Sequence, residues 1–166
     1  VVEGKAGDWA VPDSAEALAE SATSFIGAAG AAIGEYIAPA GDVNGDGAYD
    51  LLIGDPINNR VFLVFGASSS RGERQTLSGS RGSVWIELTA PASVSIGVYQ
   101  VGIGDVNNDG FDDLLIGSTG GSGLTYLLLG SAAPVWFTNS VDYFAAAEIS
   151  TTSGGASLAA ALAAGR

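Results

Sequence analysis

The chain has 166 residues, 47% hydrophobic and 14% charged, with Asp+Glu 18 against Lys+Arg 6, no His, no Cys and a formal net charge of −12. Such a length can bury the core of one average domain, while the acidity argues against nucleic acid as a partner. The missing His and Cys remove Ser-His-Asp, Cys-His and histidine-based metal chemistry, and no run of 18 apolar residues is available to span a membrane as a helix.

Residues 1–24 open the chain with no visible signal peptide. Asp13-Ser14-Ala15-Glu16 reads as a capping box, with Asp13 as N-cap and Glu16 three residues on, opening a short surface helix through about Glu20. Val1-Val2 and Trp9 are candidates for strands of an incomplete sheet.

The segment Asp42-Val43-Asn44-Gly45-Asp46-Gly47-Ala48-Tyr49-Asp50 follows, and it recurs as Asp105-Val106-Asn107-Asn108-Asp109-Gly110-Phe111-Asp112-Asp113 at a spacing of 63 residues. In each copy positions 1, 3, 5 and 9 are Asp or Asn, so four side-chain oxygens are able to converge, and position 7 (Ala48, Phe111) can add its backbone carbonyl. That donor set suits Ca²⁺, which takes roughly six to eight oxygens, better than Mg²⁺, which avoids all-protein cages. Gly47 and Gly110 allow the sharp turn around an ion because they lack a Cβ. An EF-hand starts alike but needs a bidentate Glu at position 12 and a following helix. Here position 12 is Ile53 or Ile116, within the runs Leu51-Leu52-Ile53-Gly54 and Leu114-Leu115-Ile116-Gly117, which read as buried strands. The ninth-position Asp must therefore close the cage.

The repeat continues past the loops. Val61-Phe62-Leu63-Val64-Phe65-Gly66 and Thr125-Tyr126-Leu127-Leu128-Leu129-Gly130 each read as a strand ending in Gly. Val84-Trp85-Ile86-Glu87-Leu88 and Val135-Trp136-Phe137 match as a further strand containing Trp, and Gly- and Ala-rich returns lead towards the next loop. Four short strands per unit of this length describe a blade of a β-propeller.

Together, Gly-Asp-Val-Asn-Gly-Asp-Gly-x-x-Asp-Leu-Leu-Ile-Gly and the following Phe-Gly strand resemble the FG-GAP repeat of integrin α-subunit propellers and related bacterial secreted proteins. The resemblance implies an all-β fold of two full blades and part of a third, preceded by the short helix. It divides the chain into a partial blade with connecting helix (1–24), blade one (25–87), blade two (88–150) and the start of a third (151–166). It implies two Ca²⁺ sites, one on Asp42, Asn44, Asp46, the Ala48 carbonyl and Asp50, the other on Asp105, Asn107, Asp109, the Phe111 carbonyl and Asp113. Leu129-Gly130 departs from the family's Phe-Gly, and Asp55-Pro56 and Ser118-Thr119 depart from its Ala-Pro. These are strand ends and turns, so the metal assignment stands.

Eight of the eighteen acids lie in or beside the loops, so their mutual repulsion is expected to loosen a metal-free chain. Extracellular calcium modules bind at about 10⁻⁴–10⁻³ M, which places the protein outside the cytosol, secreted or on a cell surface. Arg60, Arg71, Arg74 and Arg81 lie between the loops and are read as keeping a propeller rim or strand edge soluble. Two and a fraction units do not close a ring of four to eight blades. The expected partner is thus other polypeptide that completes the propeller: the rest of a precursor, another subunit or copies of the chain. A protein or glycan ligand is a further candidate, and Arg166 would suit trypsin-like cleavage. The expected role is adhesion, recognition or surface assembly with a structural metal and no catalysis. The competing reading is an accessory or catalytic domain of a secreted carbohydrate-active enzyme of the polysaccharide lyase kind.

Overall fold

The computed structural model describes residues 23–66, 75–80, 82, 84–119, 123–132, 140–141 and 145–150. The expected helix from Asp13, the candidate strands at Val1-Val2 and Trp9, the Val135–Phe137 strand, Arg71, Arg74, Arg81 and residues 151–166 lie outside them.

In chain order the strands are β1 (Phe25–Ile26), β2 (Tyr36–Gly41), β3 (Asp50–Asp55), β4 (Arg60–Val64), β5 (Gln75–Thr76), β6 (Trp85–Thr89), β7 (Ser95–Gly104), β8 (Asp113–Thr119), β9 (Leu124–Leu128) and β10 (Ala147–Ser150), with one 3₁₀ turn at Pro56–Asn58. They form two four-stranded sheets, β2-β3-β4-β6 and β7-β8-β9-β10, and a small parallel pair of β1 with β5. All pairings within the two larger sheets are antiparallel. The architecture is all-β, as the sequence predicts, and each sheet is one repeat unit. The first sheet ends at Thr89, so β6 runs across position 87, where the sequence divides the two units.

The apolar runs that follow the loops are the second strand of each sheet. On β3 and β4, Leu52, Val61 and Leu63 face a core shared with the second sheet, while Ile53, Phe62 and Val64 face a second core on the far side. A strand buried on both faces reads as an unbroken apolar run rather than an alternation. The shared core takes Leu114, Ile116, Tyr126 and Leu128 from the second sheet. On the far side Trp85 and Leu77 are packed by Phe25, Ile33 and Val84. The 3₁₀ turn pins the connection between sheets. Asn59, in a left-handed conformation (φ 55°), accepts from the Ile96 amide at 2.7 Å and donates to the Val94 carbonyl at 2.8 Å.

The position that β6 holds beside β4 is held beside β9 by Ala147–Ser150. One sequence expectation changes here: Arg60 is not a strand-edge residue. It lies on β4, an interior strand, and its guanidinium bonds Asp55 at 2.9 Å and Glu87 at 3.4 Å. Burial by itself would raise the Asp55 carboxyl. Hydrogen bonds from Asn58, the Ala32 amide and Arg60, with the Arg60 charge, hold it below its ordinary value instead.

Candidate metal centres

Each acidic loop joins the first two strands of its sheet, β2 to β3 and β7 to β8. The entry is the same in both. A register shift precedes Gly41 and Gly104, which pair with Asp50 and Asp113 and adopt φ 85° and 75°, turning the chain out of the ladder. Within the loop the backbone passes through left-handed residues, Gly45 and Gly47 in the first and Asn108 and Gly110 in the second.

The hydrogen bonds repeat residue for residue. In the first loop the Asp46 amide donates to Asp42 Oδ1 and Asn44 Oδ1, both at 3.0 Å. The Gly47 amide reaches Asp42 Oδ2 at 2.9 Å, and the Ala48 amide reaches Asp46 Oδ1 at 2.9 Å. In the second loop Asp109 donates to Asp105 and Asn107, Gly110 to Asp105, and Phe111 to Asp109, at 2.8–3.0 Å. Donating amides draw the side-chain oxygens of positions 1, 3 and 5 to the inside of the turn, which answers the alternation read in the sequence.

Position 9 behaves differently. Asp50 and Asp113 are buried, and each accepts two backbone amides. Asp50 takes Val43 at 2.9 Å and Gly66 at 2.7 Å; Asp113 takes Val106 and Gly130, both at 2.9 Å. Each therefore ties its loop to a Gly two residues past the third strand of its sheet. The Gly that closes those strands has a physical reason. A Cβ on Gly66 would meet Ala48 and the Tyr49 carbonyl, and one on Gly130 would meet Phe111 and the Asp112 carbonyl. Leu129 in place of Phe leaves this contact intact because Gly130 makes it.

Among the described residues no three Asp, Glu, His or Cys side chains are gathered into a metal-ligating group by themselves. The donor set of each loop is mixed: carboxylates, an Asn amide oxygen and a backbone carbonyl. A carboxylate has about four lone-pair sites, and each carboxylate oxygen of Asp42 and Asp50 accepts a single backbone amide, so capacity for a cation remains. All donors are oxygen, as a hard cation requires. Burial pushes the Asp50 carboxyl up from 3.8 to about 6; the Gly66 and Val43 amides oppose this, and the Asp46 and Asp42 charges add to it. Proximity of these three carboxylates is thus costly without a compensating positive charge.

One residue that the sequence reading did not single out links the loops. Asp112, eighth in the second loop, accepts from the Asp42 amide at 2.8 Å and donates its own amide to the Asp42 carbonyl at 3.1 Å. The Phe111 ring lies over Gly45, where a Cβ would fall 2.6 Å from it, and the Ser131 amide donates to the Val43 carbonyl at 3.0 Å. A contact 70 residues apart leaves no local signal; only the mismatch of Asp112 with Tyr49 across the repeat marks the position.

Residues 97–128 match the family model described as FG-GAP repeat. Integrin alpha-4 of Xenopus laevis is 35% identical over 105 residues, which cover 57% of this chain and 9% of that protein. The chain thus spans less than a tenth of the length of the curated relative it matches. With the duplicated loop and the matching strand order on the page, residues 97–128 are identified as an FG-GAP repeat, and the chain is similar to the proteins that carry it.

Proposed function

We propose that this integrin-like segment is an extracellular, calcium-stabilised module for recognition or surface assembly, in which the metal is structural. The observation that supports the reading most is the exact repetition, across two loops 63 residues apart, of one oxygen-presenting hydrogen-bond pattern. Drift would scatter such a pattern if the residues were only a polar turn.

In this reading Asp42, Asn44, Asp46, the Ala48 carbonyl and Asp50 hold one Ca²⁺, and Asp105, Asn107, Asp109, the Phe111 carbonyl and Asp113 hold the other. The ion supplies positive charge that offsets carboxylate repulsion. Asp50 and Asp113 then link each loop to Gly66 and Gly130, so that ordering a loop also orders the third strand of its sheet. Millimolar extracellular calcium stands roughly 1- to 10-fold above the dissociation constant of modules of this affinity class, so each site contributes roughly 0.4–1.4 kcal/mol to folding. The surface that remains serves to assemble with further polypeptide.

Multi-angle light scattering on the chain with and without millimolar calcium tests this reading. Calcium-dependent association is expected; a monomer indifferent to calcium contradicts it.

A further inference from the structure

Asn44-Gly45 is the only Asn-Gly pair in the chain, and it occupies positions 3 and 4 of the first loop. The second loop carries Asn107-Asn108 at the same positions. Asn is a thermolabile residue because its side-chain carbonyl is open to attack by the backbone nitrogen of the residue that follows, which closes a small imide ring. A following glycine leaves that nitrogen unobstructed, since it has no Cβ.

The first loop is arranged for this attack. The Asp46 amide donates to Asn44 Oδ1 at 3.0 Å and Asn44 Nδ2 donates to Asp46 Oδ2 at 3.0 Å, so the side-chain amide is held at both ends. Gly45 is exposed, and among the described residues no hydrogen bond engages its amide. The two Asp-Gly pairs, Asp46-Gly47 and Asp109-Gly110, can close the same ring but are placed differently. The Gly47 amide donates to Asp42 Oδ2 at 2.9 Å and the Gly110 amide to Asp105 Oδ2 at 2.8 Å. Attack from either nitrogen would break a charge-assisted hydrogen bond and set an anionic nitrogen against a carboxylate. In the second loop Asn107 makes the same two bonds with Asp109, at 3.0 and 2.8 Å. The nitrogen beside it belongs to Asn108, which carries a Cβ in a left-handed conformation at φ 61°.

We infer that Asn44 is a self-modification site, at which the first loop converts to isoaspartate or aspartate while the second resists. The Gly45 nitrogen bonds to Asn44 Cγ and its proton passes to water. The Cγ–Oδ1 π pair moves onto Oδ1, where the Asp46 amide meets the developing charge. Collapse breaks the Cγ–Nδ2 bond, and Nδ2 leaves as ammonia with the proton that water returns. A water molecule then opens the imide; opening at the main-chain carbonyl routes the backbone through Cγ and leaves isoaspartate. One water is consumed and one ammonia released, with no change of oxidation state.

Isoaspartate lengthens the main chain by one carbon immediately before Gly45. The Phe111 ring leaves no room there, since a Cβ on Gly45 would fall 2.6 Å from it. The added carbon displaces Gly45 from that ring and withdraws the Oδ1 acceptor from the Asp46 amide. A slow, one-way change at one side chain thus loosens the cover that the second unit lays over the first loop. The inference requires no metal in either loop.

The full chain is incubated at neutral pH in heavy-oxygen water. Each site is followed by peptide mass spectrometry and by an isoaspartate-specific methyltransferase. Asn44 of the folded chain is expected to convert at least about tenfold faster than Asn107, a difference of about 1.4 kcal/mol in barrier. Asn108→Gly is expected to bring Asn107 up to the rate of Asn44, because Gly accepts the left-handed conformation without a Cβ penalty. Asp46 and Asp109 are expected to gain isoaspartate in urea but not in the folded chain. In the converted protein the Asp112 and Ser131 amides, which donate to the Asp42 and Val43 carbonyls, should exchange hydrogen faster. Equal rates at Asn44 and Asn107, or an Asn108→Gly chain in which Asn107 stays inert, would overturn the inference. Folded-state conversion of the Asp-Gly pairs at their urea rate, or unchanged exchange at Asp112 and Ser131 after conversion, would contradict it as well.

Discussion

The two acidic loops share their ligand pattern but not their surroundings. The first is roofed: Asp112, Phe111 and Ser131 of the second unit cover Asp42, Gly45 and Val43. The second is bare along the same edge, with Val106 and Gly104 open. Identical local chemistry with unequal packing separates what a loop sequence encodes from what its neighbour supplies. Position-specific hydrogen bonds inside each loop are local and survive in both. The cover over the first loop is tertiary, and it depends on residues whose counterparts in the first unit, Ala48 and Tyr49, differ in kind.

The strongest way to break the comparison is to separate the sheets. Gly54 on β3 lies against the Gly97 carbonyl, so a Cβ there collides with backbone that has no rotamer to change. Gly54→Ala is expected to cost about 3 kcal/mol, at the upper end of overpacking effects, and to deprotect both cores in hydrogen exchange. Loss of protection in only one sheet would mean that the sheets fold independently.

A smaller effect sharpens it. Asp112→Ala removes one charged acceptor from the Asp42 amide without removing a proposed ligand of either loop, with an expected cost of about 1.5–3 kcal/mol. Calcium affinity should fall at the first loop and stay unchanged at the second, as read by titrating Asp46→Ala and Asp109→Ala backgrounds in turn. Tyr49→Ala, at the same loop position but 84% exposed, should change stability by less than about 0.5 kcal/mol. Equal effects of the two substitutions would remove the distinction between a roofed and a bare loop.

The smallest effect is a pH dependence. The folded Asp50 carboxyl is raised from 3.8 to about 6, so the fold holds its proton more tightly than the unfolded chain. The stabilising contribution of the protonated form is complete below 3.8 and is lost as pH rises through about 6. Calcium-free protein is therefore expected to unfold more readily at pH 7.5 than at pH 5, and Asp50→Asn to flatten that slope. Asp55 titrates below its ordinary value, so its stabilising contribution is already complete across this window and adds no slope. Denaturant melts at the two pH values check it.

Much of this organisation is written locally. The loops, their glycines and the apolar strands after them are legible because alternation and turn chemistry act over a few residues. The Gly ending the third strand was legible as a strand end, but its bond to the ninth-position Asp spans 16 residues in one unit and 17 in the other and carries no periodic mark. Arg60 looked like a solubilising charge because composition does not tell an edge strand from an interior one. Its partners Asp55 and Glu87 are assembled only when β3, β4 and β6 pair. Asp112 was counted as one more loop acid, and only the second loop's placement against the first gives it a separate task.

The central claim is that two oxygen-lined loops each hold one Ca²⁺ and that this binding stabilises the sheets they join. Calorimetric titration of the metal-free chain with calcium, paired with thermal melts before and after EDTA, measures it directly. The account predicts two ions per chain and a melting temperature that drops on chelation and returns with calcium; no binding heat and superimposable melts would contradict it.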